Sequence, residues 1–114
     1  MPLVHKIGEL YKTLYLLGKK IPKRDHFGIH LKIEQLCLDI LELSISAALE
    51  IKEKKSFLLS NARIKNEVLK RLLRNARELS IIHERQYINI EKELIEISKM
   101  INGWLKFLNN KEGA

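Results

Sequence analysis

The sequence predicts an all-α protein: an antiparallel up-down-up-down four-helix bundle in one domain spanning residues 1–114. Three observations predict it. Apolar residues recur at three- and four-residue spacing through four long stretches, and no stretch alternates as a strand would. Only 2 prolines and 5 glycines interrupt the chain, which favours long helices joined by short links. Hydrophobic residues make up 46% and aromatics 6%, so leucine and isoleucine must build most of the core, and 114 residues suffice for one domain. The expected helices cover about 2–21, 26–52, 57–82 and 85–109.

The first helix is read from Leu3, Ile7, Leu10, Tyr11, Leu14, Leu17 and Ile21. Gly18 lies on that stripe, where a missing side chain would admit a close neighbour. Pro22 should stop the helix just before it. Asp25 is placed to cap the second helix. That helix carries one stripe fit for a core: Ile33, Leu36, Cys37, Ile40, Leu41, Ala47, Ala48 and Ile51. It also carries a second, well off the first: Leu31, Leu38, Ile45 and Leu49, spaced by seven, seven and four. A helix in a monomeric bundle needs one apolar face, so the second must be covered by another helix of the same chain or by another subunit; with only four helices available, self-association is the expectation, with these four residues at the subunit interface.

The segment Glu53 to Ser56 reads as the next turn, with Ser56 or Ser60 as cap. The third helix sorts into two sides. Ile64, Val68, Leu69, Leu72, Leu73, Ala76 and Leu79 form an apolar arc. Arg63, Lys70, Arg74 and Arg77 lie within about 60° of one another on the opposite side. Lys65 falls inside the apolar arc and must snorkel to solvent. The third link has no Gly or Pro; a turn near residues 81–86, with Gln86 reaching back as in a capping box, is the best reading. The fourth helix shows the stripe Ile90, Leu94, Ile97, Ile101, Trp104 and Leu108, with Trp104 as a core anchor. Gly103 predicts a close helix contact, and the polar residues from Asn109 onward predict a frayed tail.

Charge narrows the function classes. Lys and Arg number 21 against 14 Asp and Glu, a net charge of +7, which suggests a polyanionic partner such as nucleic acid. No catalytic constellation is visible, so a non-enzymatic protein is expected. Cys37 lies in an apolar stripe that disfavours a thiolate, and its four histidines pair with no nucleophile. His26 and His30 have a zinc-compatible spacing of four but no third ligand nearby, so neither metal nor cofactor is expected. The N-terminus lacks the apolar region of a signal peptide and no run approaches a membrane span, so a cytoplasmic protein is expected.

Two local patterns in the right order carry a family resemblance. One is Ile21-Pro22-Lys23-Arg24-Asp25-His26-Phe27-Gly28; the other is Ile97 to Lys106, which contains Asn102-Gly103-Trp104. With Leu69-Lys70-Arg71-Leu72-Leu73-Arg74 between them, the chain resembles the accessory variability determinant (Avd) family of diversity-generating retroelements. More loosely it resembles the four-helix-bundle proteins encoded in intervening sequences of bacterial 23S rRNA genes. The one departure is His83, where many relatives have a better capping residue.

The Avd resemblance implies a pentameric ring of four-helix bundles with a basic surface. It implies binding to the retroelement's reverse transcriptase and template RNA, in support of mutagenic cDNA synthesis. Family matching carries over Lys70 and Arg74 as binding residues. Helical geometry extends that set to Arg63, Arg71 and Arg77, and Lys19, Lys20, Lys23 and Arg24 are further candidates at a bundle end. Two competing readings are an rRNA-intervening-sequence-type bundle of undefined role and a structural oligomer whose charge keeps it dissolved.

Overall fold

The computed structural model describes residues 2–113, with side chains through Asn110. Four helices form the protein: α1 (Pro2–Gly18), α2 (Leu31–Leu49), α3 (Lys52–Glu78) and α4 (Glu84–Gly113), with no strand among the described residues. Each packs on the helices before and after it, and α4 returns to α1, which closes a four-cornered bundle. Its long axis measures 51 Å and its cross-section 21 × 19 Å. Neighbours run antiparallel: Leu14 meets His30 and Ile7 meets Cys37 between α1 and α2, while Asn66 meets Leu94 and Arg77 meets Glu84 between α3 and α4. Lys6 holds α1 to α4 through Glu93 at 2.7 Å and Glu96 at 2.6 Å.

The core is the inner line of each helix. Ile7, Leu10 and Leu14 meet Ile33 and Ile40, then Leu69 and Leu73, then Leu94, Ile97 and Ile101. Trp104 is half-buried against this cluster, and Lys55 Nζ lies 5.9 Å from its ring centroid. Among the polar residues on this line, Asn66 is buried, and its amide N–H groups donate to Leu94 O at 3.2 Å and Ser98 Oγ at 2.7 Å. These bonds satisfy the donors, while the buried Asn66 Oδ1 has no hydrogen-bond partner.

The first link differs from the expected cap. Residues after Gly18 tighten into a 3₁₀-like turn, with Lys19, Lys20 and Ile21 amides donating to Leu16, Leu17 and Gly18 carbonyls. Pro22, not Asp25, occupies the N-cap position of the short turn Lys23–Asp25, and Asp25 is itself helical with no capping bond. The segment His26–His30 then leads into α2 through a kink at Gly28, whose φ −101° and ψ −110° are not helical. Beside this kink two imidazoles lie on the end of α1. His26 Nδ1 donates to Gly18 O at 3.1 Å and His30 Nε2 to Leu14 O at 2.8 Å. His30 is 1% exposed, and its pKa is lowered chiefly by that burial. A Cβ on Gly18 would stand 2.9 Å from His30 Nε2, so the expected close approach is real and its partner is a histidine pair.

The remaining links also correct the sequence reading. The second turn is Glu50–Ile51, both extended, and Glu53 to Ser56 belong to the first turns of α3. Lys55 Nζ reaches back to Ala47 O at 2.8 Å and Ala48 O at 3.3 Å, which satisfies carbonyls at the end of α2. The third link is a Schellman turn with serine in the left-handed position. Ser80 has φ 61°, its amide donates to Arg77 O, and the Ile81 amide donates to Ala76 O. The expected capping contact beyond it is present: Gln86 Oε1 accepts from the His83 amide at 2.9 Å. Around Gly103 nothing stands within 4 Å of a Cβ, so it marks no close contact. The residues from Asn109 to Gly113 continue α4, and Ala114 lies outside the described residues.

Two backbone positions thus ask for opposite side chains. Gly18→Ala should cost about 1–3 kcal/mol, because the methyl displaces the His30 bond to Leu14. Ser80→Gly should stabilise by about 0.5–1 kcal/mol, because it removes the left-handed strain. Urea denaturation of the two variants beside the parent chain reads both signs.

Candidate partner and nucleic-acid interface

The cationic candidates lie on two parts of the surface. On α3, Arg63, Arg71 and Arg74 are exposed, while Lys70 and Arg77 are half-buried. Acidic and aromatic groups stand among them. Glu67 pairs with Lys70 at 3.1 Å, and Glu84 from α4 lies 3.5 Å from Arg77. The Arg77 guanidinium also sits 4.2 Å from the Tyr87 ring centroid. Tyr87 bonds Arg74, which raises the arginine pKa further, and donates its hydroxyl proton to Glu91. Glu67 stands beside this row on α3 itself; Glu84 and Glu91 are brought near only by the docking of α4. The row is therefore positive but partly compensated, with Arg63 and Arg71 lacking an acidic partner among the described residues.

Lys19, Lys20, Lys23 and Arg24 cluster at the end of the bundle where α1 turns into α2. All four are exposed, and none pairs with an acid among the described residues. Compensation by neighbours thus favours this end over the middle of α3 as a source of free positive charge. Cations of this kind neutralise phosphates and displace counterions without reading base sequence.

The second stripe of α2 is open. Leu31, Leu38, Ile45 and Leu49 are between 40% and 83% exposed, on the side opposite Ile33, Leu36, Cys37 and Ile40. The core-facing stripe is shorter than expected. It ends at Ala47, because the chain turns at Glu50 and leaves Ala48 and Ile51 in solvent, while Glu34 and Ser44 fill its remaining places. The apolar arc of α3 also divides. Leu69, Leu73 and Ala76 are buried, whereas Ile64, Val68 and Leu79 are exposed. The core line follows Leu59, Ala62, Asn66, Leu69 and Leu73, and the polar Asn66 within it hid the true centre of the face. Lys65 is half-buried and reaches Asp39 at 3.3 Å, so its position is settled by a pair across the α2–α3 seam.

No cluster of three metal-ligating side chains occurs among the described residues, and His26 and His30 each give a ring nitrogen to a backbone carbonyl. No helix among them is long and apolar enough to cross a membrane. Cys37 is 0% exposed, its thiol points at Ile7 O, and burial pushes its pKa up to about 12. A thiolate is therefore scarce in the folded state. The native protein should resist alkylation at pH 8 and react fully once unfolded in urea, as mass spectrometry after a timed pulse of iodoacetamide would show.

A family model described as bAvd-like matches residues 1–108. No curated protein matches the chain.

Proposed function

We propose, from the premise that this chain belongs to the bAvd-like family, that it is a non-enzymatic accessory protein of a diversity-generating retroelement. The family match over nearly the whole chain carries this reading. In it, the protein assembles into a homopentameric ring through the open stripe of α2. The ring joins a reverse transcriptase to its template RNA through the cationic surface, and so supports mutagenic cDNA synthesis.

The charge and the open stripe support this reading physically. Five copies would carry five times +7, or +35, on a closed surface. Such a surface holds RNA by counterion release, and specificity then comes from RNA shape or from the enzyme it accompanies. Lys70 and Arg74 are the binding residues on α3, and the cluster Lys19, Lys20, Lys23 and Arg24 adds uncompensated charge at the bundle end. The reading of a purely structural oligomer keeps one observation in its favour: Lys70 and Arg77 are already tied to Glu67 and Glu84.

The test measures RNA binding and reverse-transcriptase capture by a Lys70→Glu/Arg74→Glu variant whose helicity matches the parent. Binding should weaken, and the dependence of log K on log salt should become shallower by roughly 0.7 for each phosphate that is no longer neutralised. Unchanged binding by the folded variant would refute the role of these two residues. Weak, salt-insensitive RNA binding by the parent chain would favour the structural oligomer.

A further inference from the structure

The open stripe of α2 needs a surface to cover it, and the structure offers one on the neighbouring helix. Phe57, Ile64 and Val68 on α3 are between 42% and 70% exposed. They lie within about 40° of one another on the helix, as do Leu31, Leu38, Ile45 and Leu49 on α2. Ile64 and Val68 floor a shallow groove that half-buried Leu72 extends, rimmed by Arg63, Arg71 and Glu67, whose carboxylate is paired with Lys70. The two stripes share a stepping of sevens and fours, the pattern by which one helix seats its side chains between those of another. No other helix carries such a row: the exposed Tyr15 and Leu16 on α1 are sequence neighbours about 100° apart, and α4 offers only Ile88 and Ile95 at this spacing.

Charge distinguishes the two surfaces. Exposed Glu42 stands beside Leu38 and Ile45 on α2, and exposed Glu50 follows the last residue of that helix, whereas exposed Arg63 and Arg71 stand along α3. A second copy's α2 laid on the groove can bring Glu42 to one of these arginines. Pairing α2 with α2 would instead set acid beside acid.

We infer that the groove over Ile64, Val68 and Leu72 is the docking site for the Leu38–Ile45–Leu49 stripe of a second copy, with Glu42 facing the arginine rim of the groove. This rests on the self-association already proposed and names the surface that completes it. The two faces belong to adjacent corners of the bundle and differ from each other, so the contact is head-to-tail. A contact of that kind generates rings or filaments and never a closed two-fold dimer. It also places Arg63 and Arg71 at the subunit seam and leaves Lys70 and Arg74 outside it.

The experiment uses two surface variants, Ile45→Asp on α2 and Ile64→Asp on α3, with helicity checked by circular dichroism. Leu38→Asp and Val68→Asp replace either one that fails to fold. Each alone should give the 13.4 kDa monomer. Mixed in equal amounts, they should form a 1:1 dimer of twice 13.4 kDa, because one intact α2 stripe then meets one intact α3 groove. Light scattering is read at the highest concentration at which each variant alone stays monomeric. An Ile64→Asp variant that assembles like the parent overturns the inference and leaves self-association standing. Two monomeric variants that stay apart on mixing overturn it as well. A monomeric parent chain removes the self-association on which it rests.

Discussion

A helix in a four-helix bundle can turn one face to the common core, and α2 carries two apolar faces. Ile33, Leu36, Cys37 and Ile40 fill the interior, and Leu31, Leu38, Ile45 and Leu49 are left in water on the far side. The exposed α3 stripe poses the same problem one corner away. Because apolar area removed from water contributes roughly 25 cal/mol per Å², two uncovered stripes on a 13.4 kDa chain are a standing drive toward association. In the proposed assembly, repeated copies would turn scattered lysines and arginines into a continuous positive field.

The bundle itself is held by ordinary means with two local devices. One is the histidine clasp, in which His26 and His30, on either side of the kink at Gly28, close over Gly18 and bond the last carbonyls of α1. This fixes the α1–α2 end, where Lys19, Lys20, Lys23 and Arg24 are displayed. The other is the polar pin of Asn66 against Leu94 and Ser98, which sets α3 against α4 at one axial position. Breaking either leaves a buried polar group unpaired, which costs more than the bond contributes.

The fold was legible in the sequence wherever hydrophobic period carried the signal. The four helices, the Gly18 close approach, the second α2 stripe and the Gln86 contact are all in the pattern of residues. What was missed depended on neighbours or on backbone chemistry that residue types do not announce. The kink at Gly28 was not read from the sequence, because a lone glycine is also tolerated inside a helix. The Schellman turn was masked because Ser80 stands where glycine is usual. Glu53 to Ser56 are polar enough for a turn and equally good in a first helical turn, and the Lys55 bond to Ala47 and Ala48 decides between them. In the cationic surface, Arg63 and Arg74 are exposed, whereas Lys70 and Arg77, expected opposite the apolar arc, are half-buried beside the core line. The compensation by Glu84 and Glu91 was invisible, because it exists only after α4 docks.

The central claim is that the exposed stripes are subunit contacts and that the functional object is an assembly. The most direct measurement is the mass of the unmodified chain in solution, by light scattering at moderate salt. The account predicts about 67 kDa, five times 13.4 kDa. A mass of 13.4 kDa at every concentration tested would contradict it, and would leave Leu31, Leu38, Ile45 and Leu49 exposed on a lone bundle.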